Sequence, residues 1–184
     1  FGFGGLLAPL ASTQGVVFPY SPTVQLGHSA SYGSYDTTHS VYQQQYYINT
    51  PNPTYSITGT FTAQTEEDAY YTAAALHFFK ACLKGEFGGN SYATAGVPPA
   101  ICKFTTYGAL HAKNVPVVVR GFSYTLTEDA EYISFRMPNV GTIEIPSVCL
   151  VTLDLVTQYP PNKVRDEFSL SDYKSGVGLR KGFG

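Results

Sequence analysis

The sequence predicts a mainly β protein, an antiparallel sandwich or part-barrel with one flanking helix over about residues 66–84. Three observations predict it. Apolar residues alternate with hydroxyl-bearing ones over residues 54–61, the period of a half-buried strand, and residues 149–156 keep Cys149, Val151, Leu153 and Leu155 on one face against Leu150, Thr152, Asp154 and Val156 on the other. One stretch alone, opening at Thr65, carries apolar residues at helical spacing behind a capping signal. The order is strands, one helix, then more strands, with no repeat of solenoid length, and an antiparallel sheet backed by the helix satisfies that order most economically.

The elements follow in chain order. Residues 1–15 are Gly-rich, apolar and aperiodic, and are expected to form an arm that orders against neighbours. Residues 16–53 are rich in Tyr, Gln, Ser and Thr and are broken by Pro19, Pro22, Gly27, Gly33, Pro51 and Pro53. Within them Tyr42 to Tyr47 reads as an extended, two-sided strand held by neighbours, against the alternative of low-complexity disorder. Tyr55, Ile57, Gly59 and Phe61 then form one face of a strand whose other face is Thr54, Ser56, Thr58 and Thr60.

The helix starts where Thr65 precedes Asp68 by three residues, with acids in the first turn where the helix dipole favours them. Its apolar stripe centres on Leu76, Phe79 and Leu83, Lys80 and Lys84 suit its end, and Gly85 stops it. A Gly- and Pro-dense loop fills residues 85–99, and residues 101–106 and 115–119 are short strands. Residues 121–127 and 131–137 flank Glu128-Asp129-Ala130, which reads as a hairpin with a three-residue tip. The clearest strand begins at Val148, with Cys149, Val151, Leu153 and Leu155 on one face. After Pro160-Pro161 the chain reads as a short docking segment and a Gly-rich tail, so that residues 1–15, 16–160 and 161–184 divide into arm, β domain and tail.

Composition narrows the function. Apolar residues make up 43% of the 184 residues, enough for a sizeable core, while charged residues are only 13%, about half the usual share. A surface sparing of charge and rich in tyrosine is one that meets other protein. The net charge of −2 argues against a conventional nucleic-acid binder, which needs a basic patch to displace phosphate counterions. No apolar run approaches the roughly 20 residues of a membrane span. The opening segment lacks the basic region of a signal peptide, and the chain starts on Phe1, as a processed chain or a piece of a longer one would. Cys82, Cys102 and Cys149 show no metal-ligand spacing and read as buried, reduced thiols. His28, His39, His77 and His111 are scattered. Ser34, Asp36 and His39 make a nominal triad, but no strand–turn–helix elbow surrounds the serine. No catalytic, metal or cofactor site emerges, and no enzyme is expected.

Two stretches carry a resemblance. One runs through Phe61-Thr62-Ala63-Gln64-Thr65 into the acidic helix start. The other is Val115-Pro116-Val117-Val118-Val119 followed by Arg120-Gly121-Phe122-Ser123-Tyr124, with the later strand from Pro146 to Leu155. Their order resembles the tube-initiating baseplate proteins of contractile-tailed bacteriophages, the tail tube cap and tube–baseplate junction proteins, over roughly residues 16–173. The resemblance implies a tail-tube-like fold, six copies closing into a ring around a channel, and partners comprising other copies of the chain, tail tube subunits, baseplate hub proteins and the tape measure protein. It implies a place in the virion tail, assembled in the host cytoplasm, with DNA passing through unbound. Under it Glu128, Asp129 and Glu131 are expected to line a channel or ring face, where like charge keeps DNA from sticking; a plain solvated turn is the alternative. The major tail tube subunit and, from another class, a carbohydrate- or receptor-binding β-module are the competing readings.

Overall fold

A computed structural model describes residues 2, 4–87, 96–108, 110–128, 130–137 and 140–183. A 3-10 helix (Gly5–Ala11) leads into strands β1 (Thr23–Gly27), β2 (Ser31–Tyr35), β3 (Gln44–Asn49) and β4 (Thr54–Thr62), then helix α1 (Glu66–Ala81). Strands β5 (Cys102–Thr106), β6 (Ala112–Leu126), β7 (Tyr132–Met137), β8 (Gly141–Pro146) and β9 (Val148–Thr157) follow. Three short helices close the chain: α2 (Pro161–Glu167), α3 (Leu170–Lys174) and α4 (Val177–Arg180).

Five strands make one antiparallel sheet in the order β1-β4-β9-β6-β5, curled into a half-barrel. This is the part-barrel of the two expected arrangements. Its concave face is the core: Tyr55, Ile57 and Phe61 from β4 lie in register with Leu155, Leu153 and Cys149 of β9. Each such large side chain taken out of water contributes about 1.5–3 kcal/mol.

β6 joins two stretches expected as separate strands. Val119 pairs with Leu155 but Gly121 pairs with Asp154, so Arg120 is an extra residue. Such a bulge reverses the alternation. Before it Val115, Val117 and Val119 are buried; after it Phe122 and Tyr124 turn inward, in register with Leu153 and Val151.

The concave face is covered by α1. Thr65 caps it, its hydroxyl accepting from the Asp68 N–H while the Asp68 carboxylate accepts from the Thr65 N–H. Hydrogen bonds from Thr65 and the Gln64 backbone hold the Asp68 carboxyl below its ordinary value. Leu76 and Phe79 are buried as expected, whereas Leu83 is half-buried beyond the helix end. The helix stops at Ala81 because Leu83 and Lys84 donate back only three residues, to Lys80 and Ala81, tightening the last turn. Its buried surface is also wider than one stripe, since Ala69, Ala73, Ala74 and Ala75 are covered too. Leu7 and Leu10 of the 3-10 helix cover Ala74, so residues 5–11 pack on this chain's own helix.

Residues 16–22 strap across the mouth of the half-barrel. The Tyr71 hydroxyl donates to Val17 O and accepts from Val17 N–H, and the Tyr107 hydroxyl donates to Pro22 O at 2.7 Å. Phe18 packs on Phe61 at 5.0 Å between ring centroids and lies directly over Gly59, where a Cβ would sit 2.5 Å from the ring. Only glycine permits that crossing.

The expected hairpin around Glu128 is not formed. β6 bonds to β5 and β9, and β7 bonds to β8, so the chain crosses from one sheet to the other between β6 and β7. The long β6 is already paired on both edges, which leaves β7 to pair forward. The β7–β8 hairpin then lies against α1, with Phe135 edge-on to Tyr70 at 5.6 Å. The Gly-rich tail packs back on the chain: Phe183 is buried against Tyr159 and Phe168 at 5.2 and 5.4 Å, and Lys181 pairs with Asp172 at 2.9 Å.

Candidate functional site

Two surfaces stand apart from this frame. The first is the β2–β3 hairpin. It grows out of the β1–β4 connection, where Gly27 and Thr54 already face one another in register. Every residue of β3 is exposed, so no core of its own holds the hairpin. Its stability comes from cross-strand contacts. Tyr32 and Tyr47 meet edge-to-face at 5.9 Å, and the Tyr46 ring covers the bare backbone of Gly33, where a Cβ would lie 2.5 Å from the ring. The Gln43 amide donates to Asp36 at 2.8 Å, and His39 takes a positive φ of 64° in the turn.

An isolated two-stranded hairpin is marginal in water, and this one exposes a large apolar area. Tyr32, Tyr35, Tyr42, Tyr46 and Tyr47 are each at least 53% exposed, with Val41 at 89%. The Tyr32–Tyr47 pair lies on one face and the next pair, Gly33–Tyr46, on the other, so aromatic surface is offered on both sides. The sequence reading of a two-sided strand over Tyr42 to Tyr47 matches the exposure and, from Gln44 on, the strand. It missed that the exposed tyrosines gather on one projection.

The second surface is the uncovered face of the five-stranded sheet. Thr23, Thr58, Thr152 and Ser123 stand side by side on four adjacent strands, a row of hydroxyls across the sheet. The neighbouring row runs through Gln25, Ser56, Asp154 and Gly121. Gly121 leaves room for the Asp154 carboxylate, whose Oδ2 would lie 3.2 Å from a Cβ there. The alternation of threonines in β4 was the signal for this face; its continuation across strands needed the register. Among the described residues the sheet's outer strands, β1 and β5, each have a partner on one side only.

Of the three residues expected on a channel or ring face, two are described. Glu128 and Glu131 are exposed in the crossover from β6 to β7, and Asp129 lies outside the described residues. The Glu131 carbonyl accepts from Ser147 N–H at 2.7 Å, fixing where the crossover ends. Ser34 and Asp36 lie on the exposed hairpin with His39 and are engaged otherwise: Ser34 faces Gln45 across the strands and Asp36 accepts from Gln43. Among the described residues no three His, Cys, Asp or Glu side chains converge as a metal would require, and no helix is long and apolar enough to cross a membrane. Of the cysteines read as buried, reduced thiols, Cys82 and Cys149 are buried and Cys102 is half-buried, and all three are free; Cys82 Sγ and Cys102 Sγ are 3.7 Å from one another.

The chain matches no protein-family model and no curated protein.

Proposed function

We propose that this chain is a structural subunit of a virion: part of a ring at the junction of baseplate and tail tube in a contractile-tailed bacteriophage, tail-tube-like in fold. The observation that carries the reading is the β2–β3 hairpin, which offers tyrosines on both faces and has no core of its own. Such an element gains its stability on insertion between neighbours. The open edges β1 and β5 support closure with other copies, six in the ring, because pairing of edges between copies removes free strand edges. A heterologous contact of this kind closes when its rotation fits the symmetry. The row of hydroxyls and its neighbouring polar row suit a channel wall past which DNA moves without being held, since they carry no basic patch for phosphate. Catalysis, cofactor and metal have no part in this reading. Its partners are tail tube subunits on one side, hub proteins on the other, and the tape measure protein within the channel; assembly takes place in the host cytoplasm.

A sugar-binding module is disfavoured by the same hairpin. Stacking on a sugar needs aromatics on one shallow face, whereas these stand on two. A preformed ring offers all its sites to the next ring at once and so lowers the cost of nucleation. Added in trace amounts to purified tube subunits, alone or with its hub partner, the chain should shorten the lag before tubes appear and mark one end of each tube. A variant in which residues 29–50 are replaced by a tight turn should fold, because Gly27 and Thr54 remain paired, yet lose this effect. Label along the whole tube would make the chain the tube subunit. An unchanged lag with either partner, or full seeding by the variant without its hairpin, would overturn the reading.

A further inference from the structure

The two converging sulfurs occupy unlike environments. Cys82 is the residue that caps α1 at its C-terminal end and is fully buried. Cys102 opens the edge strand β5, is only half-buried, and lines an open cleft of about 870 Å³ between the strap and β5, beside Phe18, Ile101 and Phe104. Their Sγ atoms are 3.7 Å apart, against about 2.05 Å in a disulfide. Cys149 differs from both: it is buried near the start of the central strand β9, opposite Phe61 and Leu126.

We propose that Cys82 and Cys102 form a reversible dithiol–disulfide pair, in which Cys102 meets the oxidant through the cleft and Cys82 resolves it. The electrostatics agree with those roles. The hydrogen bond between the two thiols favours the Cys102 thiolate, lowering it to about 7 against the opposing effect of burial. The same bond, with burial, pushes Cys82 up. Burial alone raises Cys149. A thiolate reached by solvent beside a protonated partner is the arrangement of a redox-responsive cysteine.

With hydrogen peroxide as oxidant the chemistry balances in two steps. The Cys102 thiolate attacks one peroxide oxygen, the O–O bond breaks, and Cys102 sulfenic acid and hydroxide form. The Cys82 sulfur then displaces the sulfenic oxygen; the S–S bond forms, the S–O bond breaks, and the Cys82 proton leaves with that oxygen as water. A dithiol reductant reverses the result by taking the disulfide's two sulfurs back to thiols and becoming a disulfide itself. The bond would tie the first residue of edge strand β5 to the end of α1 and close the loop between them. The inference rests on the sulfur geometry and not on the assembly reading.

The folded chain, first fully reduced, is exposed to hydrogen peroxide, quenched, denatured and counted for free thiols. The three thiols should fall to one, with loss of two hydrogen atoms in the intact mass and a Cys82–Cys102 cross-linked peptide in the digest. Hydrogen exchange over residues 101–106 should slow, and a dithiol reductant should restore the starting state. Cys149→Ser should behave as the wild type. Cys82→Ser should accumulate sulfenic acid at Cys102, trapped by dimedone, while Cys102→Ser should leave Cys82 reduced under the same exposure. Circular dichroism checks that each variant is folded; for one that is not, the wild-type peptide map decides. Three free thiols after oxidation, a Cys102-linked dimer, or Cys102 over-oxidised beside a free Cys82 would each overturn the pair.

Discussion

Tyr55 is 1% exposed and packs edge-on to Phe104 at 5.0 Å, yet its hydroxyl finds no hydrogen-bond partner among the described residues. Burial, reinforced by the nearby phenols of Tyr159 and Tyr173, pushes it from 10.0 to about 12. The sign of the consequence follows from proton counting. Between pH 10 and 12 the unfolded phenol has lost its proton while the native one keeps it, so the native state binds more protons and stability falls as pH rises. Tyr55→Phe removes both that slope and an unpaired buried hydroxyl. It should therefore be as stable as the wild type at pH 7, or up to about 1 kcal/mol more stable, and should keep more of its stability above pH 10. Urea melts at the two pH values decide the matter, and a loss beyond about 1 kcal/mol at pH 7 would mean that the hydroxyl is bonded in solution. Cys82 and Cys102 show the limit of reading residues one by one. Twenty positions apart with no shared motif, they meet only because a helix end abuts an edge strand.

Helix α1 tests the element scale directly. Leu76 is buried against the sheet, whereas Glu67 projects from the first turn into solvent. Leu76→Ala should cost about 2–5 kcal/mol in a urea or thermal melt, and Glu67→Ala should stay within about 0.5 kcal/mol. Equal losses would refute the assigned face. The start of α1 was legible because Thr65, Asp68 and the acids of the first turn act within a few residues of one another. Its end was not, since the tightening at Leu83 and Lys84 depends on where β5 and its loop lead the chain. Strands β4 and β9 were legible because one of their faces is buried along the whole length, which imposes strict alternation. β1 and β8 were missed: Val24 with Leu26, and Ile143 with Ile145, give too few alternations between their bounding turns. The break at Arg120 looked like the end of a strand, because a bulge shifts the pattern by one residue just as a loop does. The supposed tip at Glu128 failed for a related reason. Adjacent strand signals say nothing about which strands pair, and β6 had already found its partners in β5 and β9. The candidate surfaces were half legible: tyrosine abundance and threonine alternation are local, while their gathering on one projection and one sheet face is a matter of register.

At the scale of the molecule, the sheet order places β9 between β4 and β6, although it is the last strand in the chain. Every strand of the half-barrel before it is joined to the rest through it: β1 with β4 on one side, β5 with β6 on the other. The halves share no edge until β9 inserts. A chain ending after Ser147 should then show no cooperative melt and rapid proteolysis, while one ending after Tyr159 should keep a protease-resistant sheet. A cooperative melt from the shorter chain would contradict that dependence. On the ribosome the same arrangement becomes a matter of time. Roughly ninety-five residues separate the end of β4 from the end of β9, so at about 5–20 residues per second the first half waits some 5–20 seconds for its other wall. Through that interval Tyr55, Ile57 and Phe61 face water with nothing to pack on but the newborn helix, and the exit of Val148 to Thr157 from the tunnel is the event that lets the protein fold.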